Sequence, residues 1–188
     1  MTIFARFSCF ARLVLMLCLS GSCGIIAATA KEAQMMQLAS ISFEPGQTVP
    51  SQYTCEGANI SPELHWSDAP ENTQTFALIT DDPDAPAGTW VHWVMYNIPA
   101  DTGALPENLP KSETLENGIH QGRNDFPATG YGGPCPPRGH GPHRYFFKLY
   151  ALDTVLELKK GVTKAELERA MQGHILAKAE LMGLYERQ

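Results

Sequence analysis

Residues 130–153, GYGGPCPPRGHGPHRYFFKLYALD, hold the reading on which the fold turns. The first half cannot be helical. Gly132, Gly133, Gly139 and Gly141 admit positive φ and close backbone approach, while Pro134, Pro136, Pro137 and Pro142 fix φ and remove amide donors. The loop is therefore shaped and stiff. In the second half, two-residue alternation sets His143, Tyr145, Phe147, Leu149 and Ala151 on one face and Arg144, Phe146, Lys148, Tyr150 and Leu152 on the other. A histidine thus stands where a rigid loop enters a buried strand.

Upstream, Thr75 to Asp81, TFALITD, is almost continuously apolar and reads as a central strand. It runs into Asp82-Pro83-Asp84-Ala85-Pro86, two carboxylates between prolines, whose plainest reading is a turn with aspartates bonded to their own backbone. Trp90 to Ile98 follows as a strand. Strict alternation puts Trp90, His92, Val94 and Tyr96 on one face and Val91, Trp93, Met95 and Asn97 on the other. One histidine on an apolar face is more often a packed core residue than a ligand. Two histidines at strand ends, each beside a proline-stiffened loop, point instead to a site.

Met36 to Phe43 alternates as a first strand closed by Glu44-Pro45-Gly46, residues 50–62 read as loop, and Leu64-His65-Trp66 is a short apolar piece. Residues 99–129 form a long connection rich in proline, glycine and asparagine, which suits either a lid or an ordinary solvated loop. Within it, Gly122-Arg123-Asn124-Asp125-Phe126 has the composition to pin the loop to the core by charge-assisted bonds. Thr163-Lys164-Ala165-Glu166 is a capping box, followed by Leu167, Ala170 and Met171 on one face and Gly173 as a stop. His174 to Tyr185 reads as a last strand, although its Ala, Glu and Lys content favours helix. The expected fold is mostly β, an antiparallel β-sandwich with long ordered loops and one short helix near the C-terminus.

The first thirty residues carry Arg6 and Arg12, the apolar run Leu13 to Leu19, and Ala28-Thr29-Ala30, the pattern of a cleaved secretory leader. The run is too short to span a membrane. Cleavage is expected before Lys31, leaving one domain over 31–188 that is exported, periplasmic or secreted. A lipoprotein leader ending at Cys23 lacks the leucine usual three residues earlier. The remaining chain has 12 basic and 20 acidic residues, a net charge of −8, which disfavours nucleic acid as a partner. Of five cysteines, Cys9, Cys18 and Cys23 leave with the leader. Cys55 and Cys135 remain, and in an oxidising compartment they are expected to form a disulfide, the alternative being two free thiols.

Asp82-Pro83-Asp84-Ala85-Pro86, Trp90-Val91-His92-Trp93 and Pro136-Pro137-x-Gly139-His140-Gly141-Pro142-His143-Arg144-Tyr145, in this order, resemble the signature motifs of the phosphatidylethanolamine-binding protein family. Gly57-Ala58-Asn59-Ile60-Ser61-Pro62 and Gly122-Arg123-Asn124-Asp125-Phe126 resemble its bacterial Raf-kinase-inhibitor-like branch. The likeness covers residues from about 38 to 185. It implies a β-sandwich with a small anion-binding cavity at one end, formed by Asp82, His92 and His143, walled by Trp90, Pro137 and Tyr145, with Asp84 supporting the loop and counted among the ligand-binding residues. Cys135 occupies a position where many relatives carry glycine or alanine. Tyr185 is given no part in the cavity.

The histidines, as imidazolium groups, are expected to supply donors to a phosphate-like anion. His143 is expected to face solvent and to contribute little packing. The expected partner is a small anionic or phosphorylated molecule or lipid headgroup, with no cofactor, no metal and no transmembrane helix; a homodimer is left open. An inhibitor of a kinase- or protease-like partner is the alternative. A third reading, a metal-dependent hydrolase using His92, His140 and His143, is disfavoured by the absence of an H-E-x-x-H helix, and nucleophilic catalysis by the absence of G-x-S-x-G. The chain is not expected to be an enzyme.

Overall fold

Every residue of the strand β3 (Thr75–Asp82) is buried, and the sheet around it explains why. The computed structural model describes residues 35–188. The leader expected over residues 1–30 lies outside them. Five strands pair in the order β6-β4-β3-β7-β8, where β4 is Trp90–Pro99, β6 is His120–Gln121, β7 is His143–Leu152 and β8 is Ile175–Tyr185. All their pairings are antiparallel. A second, smaller antiparallel sheet runs β1-β2-β5, from Gln37–Ala39, Leu64–Ser67 and Ala104–Leu105.

The main core lies between the sheets. Leu38, Leu64, Trp66 and Leu105 from the small sheet meet Phe76, Leu78, Trp93, Met95, Phe147, Leu149 and Leu181 from the large one. The other face of the large sheet buries Ala77, Ile79, Val94, Tyr96 and Leu152 against Leu167 and Met171 of the helix α1 (Lys164–Met171). A sheet covered on both faces needs apolar residues at successive positions, which is what TFALITD supplies. The mostly-β, two-sheet architecture with one α-helix among the described residues agrees with the sequence. No helix among the described residues is long and apolar enough to cross a membrane.

The capping box forms as expected, with the Glu166 amide donating to Thr163 Oγ1 and the Thr163 amide to Glu166 Oε2. The last strand also forms despite its helix-favouring residues, because pairing with β7 along almost its whole length outweighs local propensity. Two expectations are corrected. The first strand covers only Gln37–Ala39, since Ser40 turns the chain aside by donating to the Glu63 carbonyl at 2.6 Å and accepting the Ser42 amide at 3.1 Å. The connection over residues 99–129 contains β5 and β6 and is held down rather than free. Gln121 ties it by accepting from Trp93 Nε1 at 2.7 Å and donating to the carbonyls of Pro110 and Ser112 at 2.7 and 2.8 Å.

Candidate functional site

Three neighbouring strands, β4, β3 and β7, end together and bring residues 61 positions apart in sequence into contact. Asp82 is the last residue of β3, not part of the turn after it, and His143 is the first of β7. The His143 Nδ1–H donates to Asp82 Oδ2 at 2.8 Å. The other carboxylate oxygen, Oδ1, accepts the Asp84 amide at 2.8 Å. Both partners are deeply buried, Asp82 at 3% exposure and His143 at 3%. The expectation that His143 faces solvent is therefore wrong: the β7 alternation that aims it inward also seats it under the proline loop.

His92 reaches the same place by a break in the strand pattern. Thr80 and Asp81 pair with Trp93 and Val91, so His92 is an extra residue in β4, a bulge. Across the bulge the faces exchange. Trp93 and Met95 pack in the main core, Val91 joins Val94 and Tyr96 on the helix side, and His92 lies against Tyr145 of β7, ring centroids 5.2 Å apart. Strict alternation, which grouped His92 with Val94 and Tyr96, is corrected here.

The glycine loop completes the bulge. The Gly132 amide donates to the His92 carbonyl at 2.9 Å, and His92 Nδ1–H donates to the Gly132 carbonyl at 2.6 Å. Burial pushes the His92 imidazole below its ordinary value, with the Gly132 bond and the Asp82 charge only partly offsetting it. His92 is therefore a neutral ring, where the sequence reading expected an imidazolium.

These groups line a cavity of about 200 Å³. Asp82, His92 and His143 form its polar wall, and Trp90, Pro137 and Tyr145 stand where the sequence reading put them. Tyr145 is 1% exposed, and its hydroxyl has no hydrogen-bond partner. Burial, with Asp82 beside it, drives its phenol far above the usual range.

Asp84 is the exception. It does not line the cavity, because Arg144 holds it outside: its Oδ2 accepts the Arg144 amide and Nε–H, each at 2.9 Å, and its Oδ1 accepts from Nη2 at 2.7 Å. These bonds lower its carboxyl to about 2. Its part in the site is the amide given to Asp82.

Phe126 is the wall residue that sequence reasoning missed. Its ring meets Trp90 and His92 edge-on at 5.5 and 5.3 Å. The pinned segment that carries it was legible, and the charge-assisted bond is present: Asp125 Oδ2 accepts the Val91 amide at 2.8 Å, while the Asp125 amide donates to the Val91 carbonyl at 3.0 Å. An apolar ring projecting from a polar pinned loop was the available signal. Gly132 makes room for it, since a Cβ there would lie 2.6 Å from Phe126 Cδ2.

Cys55 and Cys135 form the expected disulfide, and Cys135 lines the cavity rim. Tyr185 donates to Glu56 Oε2 at 2.7 Å and does not line the cavity. His140 is exposed, its ring centroid 6.0 Å from that of His143. Among the described residues, no three His, Cys, Asp or Glu side chains are grouped to hold a metal ion.

The family model for phosphatidylethanolamine-binding protein matches residues 39–186. The chain belongs to the phosphatidylethanolamine-binding protein family. It is 53% identical over 154 residues to a UPF0098 protein of Aquifex aeolicus, covering 81% of this chain and 90% of that protein. Among solved structures of the family, the Chlamydia trachomatis homologue CT736 superposes with a TM-score of 0.75 at 43% identity, covering 82% of this chain and 99% of that one. Escherichia coli YbcL does so with a TM-score of 0.77 at 36% identity, over 82% of this chain and all of its own. The family membership read from the ordered motifs is thus established, and the two-sheet fold with it.

Proposed function

We propose that this family member is exported and acts by binding a small oxyanion, phosphate or a phosphate ester, in the cavity at the strand ends. The observation that carries the reading is the buried Tyr145 hydroxyl, which makes no well-formed hydrogen bond although the Asp82 carboxylate and the Cys135 backbone stand beside it, and which lines the same small cavity as the Asp82–His143 pair. A buried donor without a partner is destabilising unless something else satisfies it. A charged His143 beside it would offset an anion's charge while Asp82 holds the ring in place.

Binding rather than catalysis is favoured by the composition of the wall. The Asp82–His143 pair resembles the base of a hydrolytic triad, but the lining contains no Ser or Thr, and its cysteine is in a disulfide. Export is favoured by the leader pattern, and the disulfide suits an oxidising compartment.

Calorimetric titration with inorganic phosphate and phosphoethanolamine tests the reading. His143→Ala is expected to weaken binding roughly tenfold or more, as removal of a charged hydrogen-bond donor does. An unchanged affinity in that variant would place the site elsewhere.

A further inference from the structure

We infer that the cavity selects oxyanions that still carry an acidic proton, hydrogen phosphate and its monoesters, over those that carry none, sulfate and phosphodiesters. The inference rests on the oxyanion reading and concerns which oxyanion. Its basis is the order of donors and acceptors around the cavity.

A carbonyl oxygen has no hydrogen to give, so the 2.6 Å contact between His92 and Gly132 makes Nδ1 the protonated nitrogen. In a neutral ring Nε2 then carries a lone pair. Protonation of Nε2 would put a charge into a site where His92 is 2% exposed and stacked edge-on between Phe126 and Tyr145, with Asp82 as the compensating carboxylate nearby. Asp82 is itself acceptor-only when ionised: Oδ1 takes the Asp84 amide, Oδ2 takes His143 Nδ1–H, and each oxygen keeps further lone-pair capacity.

The wall therefore offers two acceptors, His92 Nε2 and the Asp82 carboxylate. Facing them are donors: the Tyr145 hydroxyl, the unpartnered Trp90 Nε1–H, and His143 Nε2–H when that ring is charged. Pro136 and Pro137 have no amide hydrogen to add. The other charged groups nearby are already engaged, Asp84 with Arg144 at the outer edge, and Asp81 on the opposite face of the sheet with Lys148 and Lys164.

Sulfate or a phosphodiester would present only lone pairs to His92 and Asp82. A monohydrogen phosphate group matches both sets, its oxygens accepting from Tyr145 and His143 and its P–OH donating to an acceptor. A site whose polar groups require a donor rejects a ligand that lacks one far more strongly than an apolar pocket rejects a misfit.

The experiment is calorimetric titration of the leader-free, oxidised protein with two matched pairs: inorganic phosphate against sulfate, and phosphoethanolamine against glycerophosphoethanolamine. At about pH 5.5, where a monoester retains its second proton, the proton-bearing member of each pair is expected to bind roughly 10- to 100-fold tighter. Toward about pH 8 the ratio for the phosphoethanolamine pair is expected to narrow as the monoester loses that proton, whereas the phosphate-to-sulfate ratio is expected to persist, because hydrogen phosphate still carries one.

Equal affinities within each pair would overturn the inference and leave the oxyanion reading standing. Tighter binding of the diester would also overturn it and would indicate a lipid headgroup. If none of the four binds, the oxyanion reading falls as well. A second readout does not depend on a variant's folding: the ¹⁵N shifts of the His92 ring in the free protein should report a proton on Nδ1 and none on Nε2, with Nε2 moving on phosphate addition. A proton found on Nε2 in the free protein overturns the inference. His92→Asn, which can still donate toward Gly132 but offers nothing at the Nε2 position, is expected to narrow the phosphate-to-sulfate ratio, with Asp82 as the one acceptor left; an unchanged ratio overturns the part given to His92.

Discussion

Asp81 and Asp82 are consecutive in β3, 0% and 3% exposed, yet they belong to different parts of the molecule. Alternation sends them to opposite faces of the sheet. Asp81 lies on the helix side and is held by two cations, Lys148 Nζ at 2.6 Å and Lys164 Nζ at 3.2 Å. Burial alone would lower the Lys164 ammonium, but Asp81 and Glu168 together hold it above its ordinary value. Asp82 lies at the cavity and is held by a histidine rather than by a permanent cation.

The contrast shows what separates a buried carboxylate that serves the fold from one that serves a site. Permanent cations close the electrostatic account at Asp81 and tie α1 to the sheet. At Asp82 the partner is titratable and the neighbouring Tyr145 hydroxyl is unpaired, so the group is stable in itself and still able to respond to a ligand.

The largest expected effect breaks the pair of aspartates apart. Asp81→Ala should cost about 3 kcal/mol of stability, at the lower end for a broken buried pair because both lysines are near enough to solvent to swing out. Oxyanion affinity should be unchanged. Asp82→Ala should do the reverse, losing affinity with the smaller loss of stability, since it leaves no permanent cation without its partner. Chemical denaturation beside calorimetric titration checks both, and equal effects on binding would erase the distinction between the two faces.

A smaller effect sharpens the site side. The His92 ring is depressed in the folded state, so below the ordinary value of 6.5 the unfolded chain takes up a proton that the folded one refuses. Stability should therefore fall as pH drops below 6.5, until His92 is protonated in the fold as well. The slope from this one group is at most about 1.4 kcal/mol per pH unit. Denaturation midpoints of the parent and of His92→Gln across this range should differ in slope, and parallel curves would show that the ring is not held neutral.

The smallest effect concerns Asp84. Its carboxyl, lowered from 3.8 to about 2 by Arg144, contributes stability that is present above 3.8 and lost as pH falls through about 2. Because Arg144 is exposed, Arg144→Ala should shift stability only on the scale of a surface ion pair. It should disturb binding less than Asp82→Ala does, because the amide that Asp84 gives to Asp82 comes from the backbone. A loss of affinity as large as that of Asp82→Ala would return Asp84 to the cavity wall.

Much of the architecture was legible along the chain. β7 reads correctly because its alternation is uninterrupted from His143 to Ala151, and α1 because its capping box and Gly173 are local signals. The first strand was overread because apolar alternation continues through Ile41 and Phe43, whereas the Ser40 side chain bonds end the pairing at Ala39. At the site, the ordered motifs identified Asp82, His92, His143 and most of the wall. Asp84 was misplaced because nothing in an Asp-Pro turn reveals that an arginine 60 residues later will take its carboxylate.

The sequence by itself determined the long strands β3, β4, β7 and β8, the stiff loop before His143, the helix and its cap, the two cysteines that pair, and the family to which the chain belongs. These are matters of residue type, local periodicity and motif order. Tertiary structure decided which way His92 points, which of its nitrogens carries the proton, where Asp84 is held and that Phe126 closes the wall. Each depends on a partner distant in sequence: the bulge exists only when β4 pairs with β3, and the tautomer only when the Gly132 carbonyl, 40 residues away, comes within 2.6 Å. Periodicity describes one strand, whereas a bulge and a proton's position are properties of two segments in contact.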